Sequence, residues 1–145
     1  MASDSEIHGL YFEDLTVGQT AVYGRTVTDA DIVLFSGISG DTNPVHLDQE
    51  FASGTMFSGR IAHGMLTAAF ISTVIGTRLP GPGAIYLSQN LKFKAPVKFG
   101  DAVTARVEIV GLVPEKKLVQ FKTQCLVGTT VVIDGDATLL VPSRG

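Results

Sequence analysis

An aspartate and a histidine, Asp41 and His46, share the short run Gly40-Asp41-Thr42-Asn43-Pro44-Val45-His46, whose proline stiffens the chain between them. A carboxylate and an imidazole can move protons near neutral pH. Pro44 fixes its own φ and biases Asn43 away from the helical region, so the two groups are presented across a defined bend. The residue types leave a plainer reading open. An aspartate near a helix end often caps backbone N–H groups, and a histidine beside proline can merely complete a turn. Asn43 could hydrogen-bond Asp41, His46 or a bound molecule, or serve only as a turn former or helix cap.

A second candidate is the segment His63-Gly64-Met65, where a long apolar run begins. A helix start there would offer unpaired backbone N–H groups carrying partial positive charge. His63 has competing roles in packing and capping. Ser72 lies within the same run, where its hydroxyl could simply bond the carbonyl one turn back, and Ile75 further along reads as core. Cys125, the single cysteine, sits in an alternating segment and reads as a small buried hydrophobe. Lys92, Lys94 and Lys98 share strand parity if one strand spans them, and Arg60 precedes the apolar run; they suit either a bound phosphate or a solvated strand edge. No residue set has convincing metal-ligand spacing, because His46 with Asp48 lacks a third partner. Glycine-rich phosphate loops are absent.

The elements that must position these groups follow from pattern. Residues 1–9 carry no periodicity and read as a flexible N-terminal tail, leaving 10–145 as one domain. A strand is expected over Thr20 to Val27. Thr28 and Asp31 then resemble a capping box, and Ile32, Phe35 and Ile38 recur at helical spacing up to Ser39-Gly40. Asp48 to Ala52 reads as a further helical turn, followed by a loop over Gly54 to Gly59. From Gly64 to about Thr77 the chain is apolar around its circumference, which predicts a helix enclosed on every side. Leu79-Pro80-Gly81-Pro82-Gly83 ends it. Strands are expected over Ala84 to Val97, Ala102 to Val110, Lys117 to Leu126 and Val131 to Val141, with turns at Phe99-Gly100-Asp101, Val113-Pro114-Glu115 and Asp134-Gly135. Val119, Phe121, Thr123 and Cys125 alternate with Gln120, Lys122 and Gln124, implying one buried sheet face. The order predicts an α+β fold in which an antiparallel sheet wraps a central helix.

A chain of 145 residues suits one core. With 45% hydrophobic and 17% charged residues it can bury a sizeable one and keep apolar surface for a partner. A net charge of −3 argues against nucleic acid as ligand. The longest apolar stretch, Met65 to Ile75, falls well short of the roughly 20 residues needed to span a bilayer. The start of the chain has no basic segment leading into an apolar one, so no membrane association and a cytoplasmic location are expected.

The D-x-N-P-x-H pattern of Asp41 to His46 resembles the signature of MaoC-like (R)-specific enoyl-CoA hydratases, the hydratase 2 group. His63-Gly64-Met65 and Ile85-Tyr86-Leu87 add supporting identities, and the order of elements resembles the family's hotdog fold from about Leu10 to Pro142. The resemblance implies reversible hydration of a trans-2-enoyl-CoA to the (R)-3-hydroxyacyl-CoA by an Asp41/His46 dyad acting on one water. It further implies a thioester oxygen held by the Gly64 backbone N–H and a supporting or pocket role for Ser72; Asn43 stands beside them as a supporting or substrate-binding candidate, and Ile75, a little further along the same run, could limit acyl length. No cofactor and no metal are implied, acyl-CoA is the ligand, and the expected assembly is a homodimer or higher homo-oligomer. Two other readings remain: an acyl-CoA thioesterase of the same fold, which would usually need a carboxylate near the central helix where Gly64 to Thr77 has none, and a non-catalytic acyl-thioester-binding subunit.

Overall fold

The computed structural model describes residues 4–145. A single helical turn, α1 (Asp4–Ile7), leads into the first strand, β1 (Thr20–Thr26). The segment expected to be a loose tail is tied down at its end. The Gly9 N–H donates to the Pro82 carbonyl at 2.8 Å and the His8 ring stacks on Tyr11; residues 1–3 lie outside the described residues.

Helix α2 (Asp29–Ser39) begins with the expected capping box. The Thr28 hydroxyl accepts from the Asp31 N–H and the Asp31 carboxylate accepts from the Thr28 N–H. It ends at Gly40, whose φ of 78° is the left-handed conformation that glycine adopts without steric cost. Only part of its apolar stripe is covered: Ile32 is buried, while Leu34 and Ile38 face solvent. Two short helices follow, α3 (Pro44–Leu47) and α4 (Gln49–Ser53). Asn43 caps the first, its side-chain oxygen accepting from the Val45 N–H, and Pro44 takes the first helical position, where a missing N–H costs nothing. Asp48 caps the second.

The long helix α5 (Gly64–Thr77) packs on the sheet through Leu66, Thr67, Ala68, Phe70, Ile71, Val74 and Ile75. It is not enclosed on every side as its composition suggested. Met65, Ala69, Ser72 and Gly76, at helical spacing, form an exposed stripe. A helix without charge reads as fully buried even when one face of small and apolar residues is left open by its own chain.

Four antiparallel strands complete the sheet: β2 (Ile85–Phe93), β3 (Ala102–Val113), β4 (Leu118–Val127) and β5 (Thr130–Leu140), in the spatial order β1-β3-β4-β5-β2. Val119, Phe121, Thr123 and Cys125 face the core as their alternation required. The Asp134-Gly135 turn is not formed. Both residues lie inside β5, paired with β2 and β4, and the reversal occurs after Val127 instead. Gly135 serves close strand approach, since a Cβ there would lie 1.8 Å from the Asn90 carbonyl oxygen. The first of these strands also stops at Phe93, so Lys92, Lys94 and Lys98 do not form one row along it.

Candidate active site

The chain leaving α2 at Gly40 runs past the start of α5 and into α3, bringing Asp41, His46, His63 and Gly64 to one cleft of about 500 Å³. Its walls are mainly apolar: Met56, Phe57, Ile61, Met65, Phe93 and Ile133 contribute, with Lys94 among the lining residues. The cation of Lys94 is the one the sequence candidates bring here. Arg60 is committed elsewhere, donating to the His46 main-chain oxygen at 2.6 Å and pairing with Asp29.

Capping geometry presents the two candidate acid/base residues. Asp41 follows the left-handed Gly40, and its N–H donates to Ser39 Oγ at 3.1 Å, while its own Oδ1 accepts from the Asn43 N–H at 3.3 Å. Asp41 itself is exposed. His46 is buried. Its Nδ1 lies 2.8 Å from the Ile61 carbonyl, which can only accept, so Nδ1 carries a hydrogen and the neutral ring keeps a lone pair on Nε2. Burial lowers the pKa of His46 below its ordinary value, and neighbouring His63 lowers it further; the Ile61 bond and the Asp41 charge oppose them. A ring held neutral with Nε2 open can accept a proton from a water.

Asp41, His46 and His63 each bring one donor atom within 4.8 Å of the others. His46 therefore has the neighbours that linear spacing did not reveal, and this trio is where the described residues could hold a cation. Gly64 begins α5; the Leu66 N–H already donates to the His63 carbonyl at 3.1 Å, while the Gly64 and Met65 N–H groups have no acceptor among the described residues. The Phe93 ring closes over it so tightly that a Cβ would fall 2.6 Å from the ring edge.

The remaining sequence candidates are placed differently. Asn43 is occupied as the α3 cap. Ser72 is absent from this cleft and lines a second one, about 560 Å³, between the exposed stripe of α5 and Tyr86, Leu87 and Gln89 of β2. The two clefts share Met65. Ile75 is core. Cys125 is fully buried, and burial pushes its thiol up to about 12, the behaviour of a packing residue.

Two polar groups escaped the sequence reading. Thr67, one turn into α5, lines the cleft with a buried hydroxyl that has no partner among the described residues. Ser36, on α2, is buried against His63. The signal for Ser36 was its position one turn after the buried Ile32, where an apolar residue would be expected.

Comparison with known proteins follows the same lines. A model of the "MaoC like domain" matches residues 15–135. The chain is 58% identical over 144 residues to an (R)-specific enoyl-CoA hydratase of Rhodospirillum rubrum, covering 99% of both. It is 50% identical to a 3-hydroxybutyryl-CoA dehydratase of Methylorubrum extorquens, over 96% of this chain and 88% of the relative. Among solved structures it superposes on R-hydratase PhaJ1 of Pseudomonas aeruginosa with a TM-score of 0.89 at 42% identity, over 95% of this chain and 89% of that one.

Proposed function

The chain belongs to the MaoC-like domain family, and from that premise we propose that it catalyses reversible (R)-specific hydration of trans-2-enoyl-CoA to (R)-3-hydroxyacyl-CoA. It is a hydro-lyase. The supporting observation is the convergence of Asp41, His46 and Gly64 on one cleft, in a chain alike over its full length to a named (R)-specific enoyl-CoA hydratase.

In this reading a water lies between the Asp41 carboxylate and His46 Nε2. Asp41 takes a proton as the water oxygen bonds to C3 of the enoyl group. The electron pair of the double bond moves onto the thioester oxygen, where the Gly64 N–H and the positive end of α5 stabilise the enolate. Asp41 then gives that proton up to C2 on the same face by way of His46 Nε2, whose lone pair first orients the water and can relay the proton. One water is consumed and the dyad ends as it began. Addition of water changes no net oxidation state, so the proposal includes no redox cofactor.

The acyl chain runs from the dyad past Met65 into the second cleft, alongside Ser72. That cleft is open in one chain, and β2 is an unpaired edge with Ile85 and Leu87 exposed beside it. A second copy pairing through β2 would cover both, so the working form is a homodimer. Among the described residues, no helix is long and apolar enough to cross a membrane. A buried lone cysteine suits a reducing compartment, and cytoplasmic residence is part of the proposal.

The test is turnover of trans-2-enoyl-CoA by purified protein, with the product's configuration determined. Asp41→Asn should lower kcat by about 100-fold or more without unfolding the protein. Wild-type turnover in that variant would end the proposal.

A further inference from the structure

His63 touches both members of the dyad and has no task in the hydration step itself. It is 2% exposed and stands at the N-cap of α5 without making a capping bond. Its Nε2 lies 3.0 Å from Ser36 Oγ and 3.0 Å from the main-chain oxygen of Asp41. A carbonyl only accepts, so Nε2 carries a hydrogen and shares it between the two oxygens. The ring also lies beside that of His46, centroids 3.9 Å apart and planes 28° from parallel, with Phe35 backing it at 4.9 Å.

We propose that His63 and Ser36 are positioning residues for the dyad: His63 ties the Asp41 main chain to the start of α5 and is the platform against which the His46 ring rests, and Ser36 holds His63. The inference rests on the dyad reading given above. Its physical ground is the local weakness of the Asp41 segment. Residues 40–43 form neither helix nor strand, and Asp41 is exposed, so its place is set by few bonds. The His63 bond links that segment to a helix built into the core. Ser36 supports the arrangement at some expense: a hydroxyl buried on the inner face of α2 is tolerated when it is hydrogen-bonded, and its partner is His63. The chain of contacts therefore runs from α2 through α5 to both reacting groups, which is how a site on a non-repetitive segment is held to sub-ångström tolerance.

Three single variants separate the parts. His63→Phe keeps a ring beside His46 and loses the N–H. His63→Gln keeps an N–H donor and loses the ring. Ser36→Ala removes the support. With a short trans-2-enoyl-CoA as substrate, each His63 variant is expected to lower kcat between roughly 10- and 100-fold, the cost of misplacing a reacting group by about 1 Å. KM should stay within about threefold of wild type, because His63 acts on the dyad rather than on the bound thioester. Ser36→Ala should lower kcat on the order of fivefold. Combined with His63→Phe it should add nothing, since the two act as one unit. A rise in KM with kcat unchanged would overturn the proposal by making His63 a substrate contact, and full additivity would overturn the link to Ser36.

Asp41→Asn is the control. If it keeps wild-type turnover, the dyad reading itself fails. If it is inactive while Ser36→Ala and both His63 variants keep wild-type kcat, the positioning proposal alone fails. Should the His63 variants not fold, Ser36→Ala decides: wild-type kcat there overturns the proposal.

Discussion

Replacing Gly64 by alanine tests whether close approach to the start of α5 matters. The added Cβ would sit 2.6 Å from both Cδ1 and Cε1 of Phe93, a distance at which something must move. Phe93 is the last residue of β2 and 53% exposed, so its ring can swing outward while the backbone stays in place. The overlap then costs about 1–3 kcal/mol before relaxation. Alanine's better helix propensity, worth at most about 1 kcal/mol and less at a first-turn position, offsets part of it. The net change is about 1 kcal/mol, or a Tm lower by roughly 2–4 °C for a chain of this size. The catalytic loss should be far larger. A methyl group on the cleft surface keeps a thioester oxygen from the Gly64 N–H, and losing one such donor costs on the order of 100- to 1000-fold in kcat. Gly64→Ala combined with Phe93→Ala removes the clash while keeping the methyl. Activity should stay low in that pair, although stability need not recover. Steady-state hydration and thermal melting on the three proteins decide the matter: a Gly64→Ala enzyme within about threefold of wild type would refute the donor role, and full rescue by Phe93→Ala would assign the loss to the displaced ring.

Gly135→Ala should be much more damaging to folding, because its Cβ meets the Asn90 carbonyl oxygen, a backbone atom of the paired strand, at 1.8 Å; a loss above about 3 kcal/mol in denaturant unfolding is expected, and a loss below about 1 would contradict the strand spacing. Thr67→Val removes a buried hydroxyl that has no partner among the described residues, so the ligand-free protein should gain about 1 kcal/mol in the same assay, and a loss of stability there would show that the hydroxyl is satisfied in solution. For pH, His46 binds its proton less readily folded than unfolded, so the unfolded chain holds more protons once pH falls below the ordinary histidine value of about 6.5. Stability should therefore drop with falling pH from about 6.5 down to the lowered folded value and be unaffected above it, and His46→Gln should lose less over that window. The same shift should keep the plateau of kcat/KM extending below pH 6.5; an acidic limb above that value would show His46 protonating more easily than its burial implies.

The parts of this molecule that a sequence reading reached are those in which local chemistry and tertiary structure agree. Thr28 and Asp31 formed their capping box, and Val119 to Cys125 kept the alternation that assigned their faces, because each signal is decided by neighbours a few residues away or by a periodicity that the core enforces. Gly135 misled because glycine is permissive: the same residue marks a turn or admits a neighbouring strand, and only the Asn90 carbonyl pressing against it distinguishes the two. The open stripe of α5 was hidden for a related reason. Met65, Ala69, Ser72 and Gly76 are as compatible with a core as with an exposed face, and the hydrophobicity of small residues does not record which of the two they occupy. For the candidate site, Asp41 and His46, which line one cleft, stood out in the sequence because they lie on one stretch stiffened by Pro44. Ser36 and His63 did not, being 27 positions apart and joined by a buried hydrogen bond that arises only where α2 passes the residue capping α5. The proposed dyad lies within one short motif, whereas the groups proposed to hold it come from distant elements, so a motif can suggest a reaction while the fold decides how its parts are held.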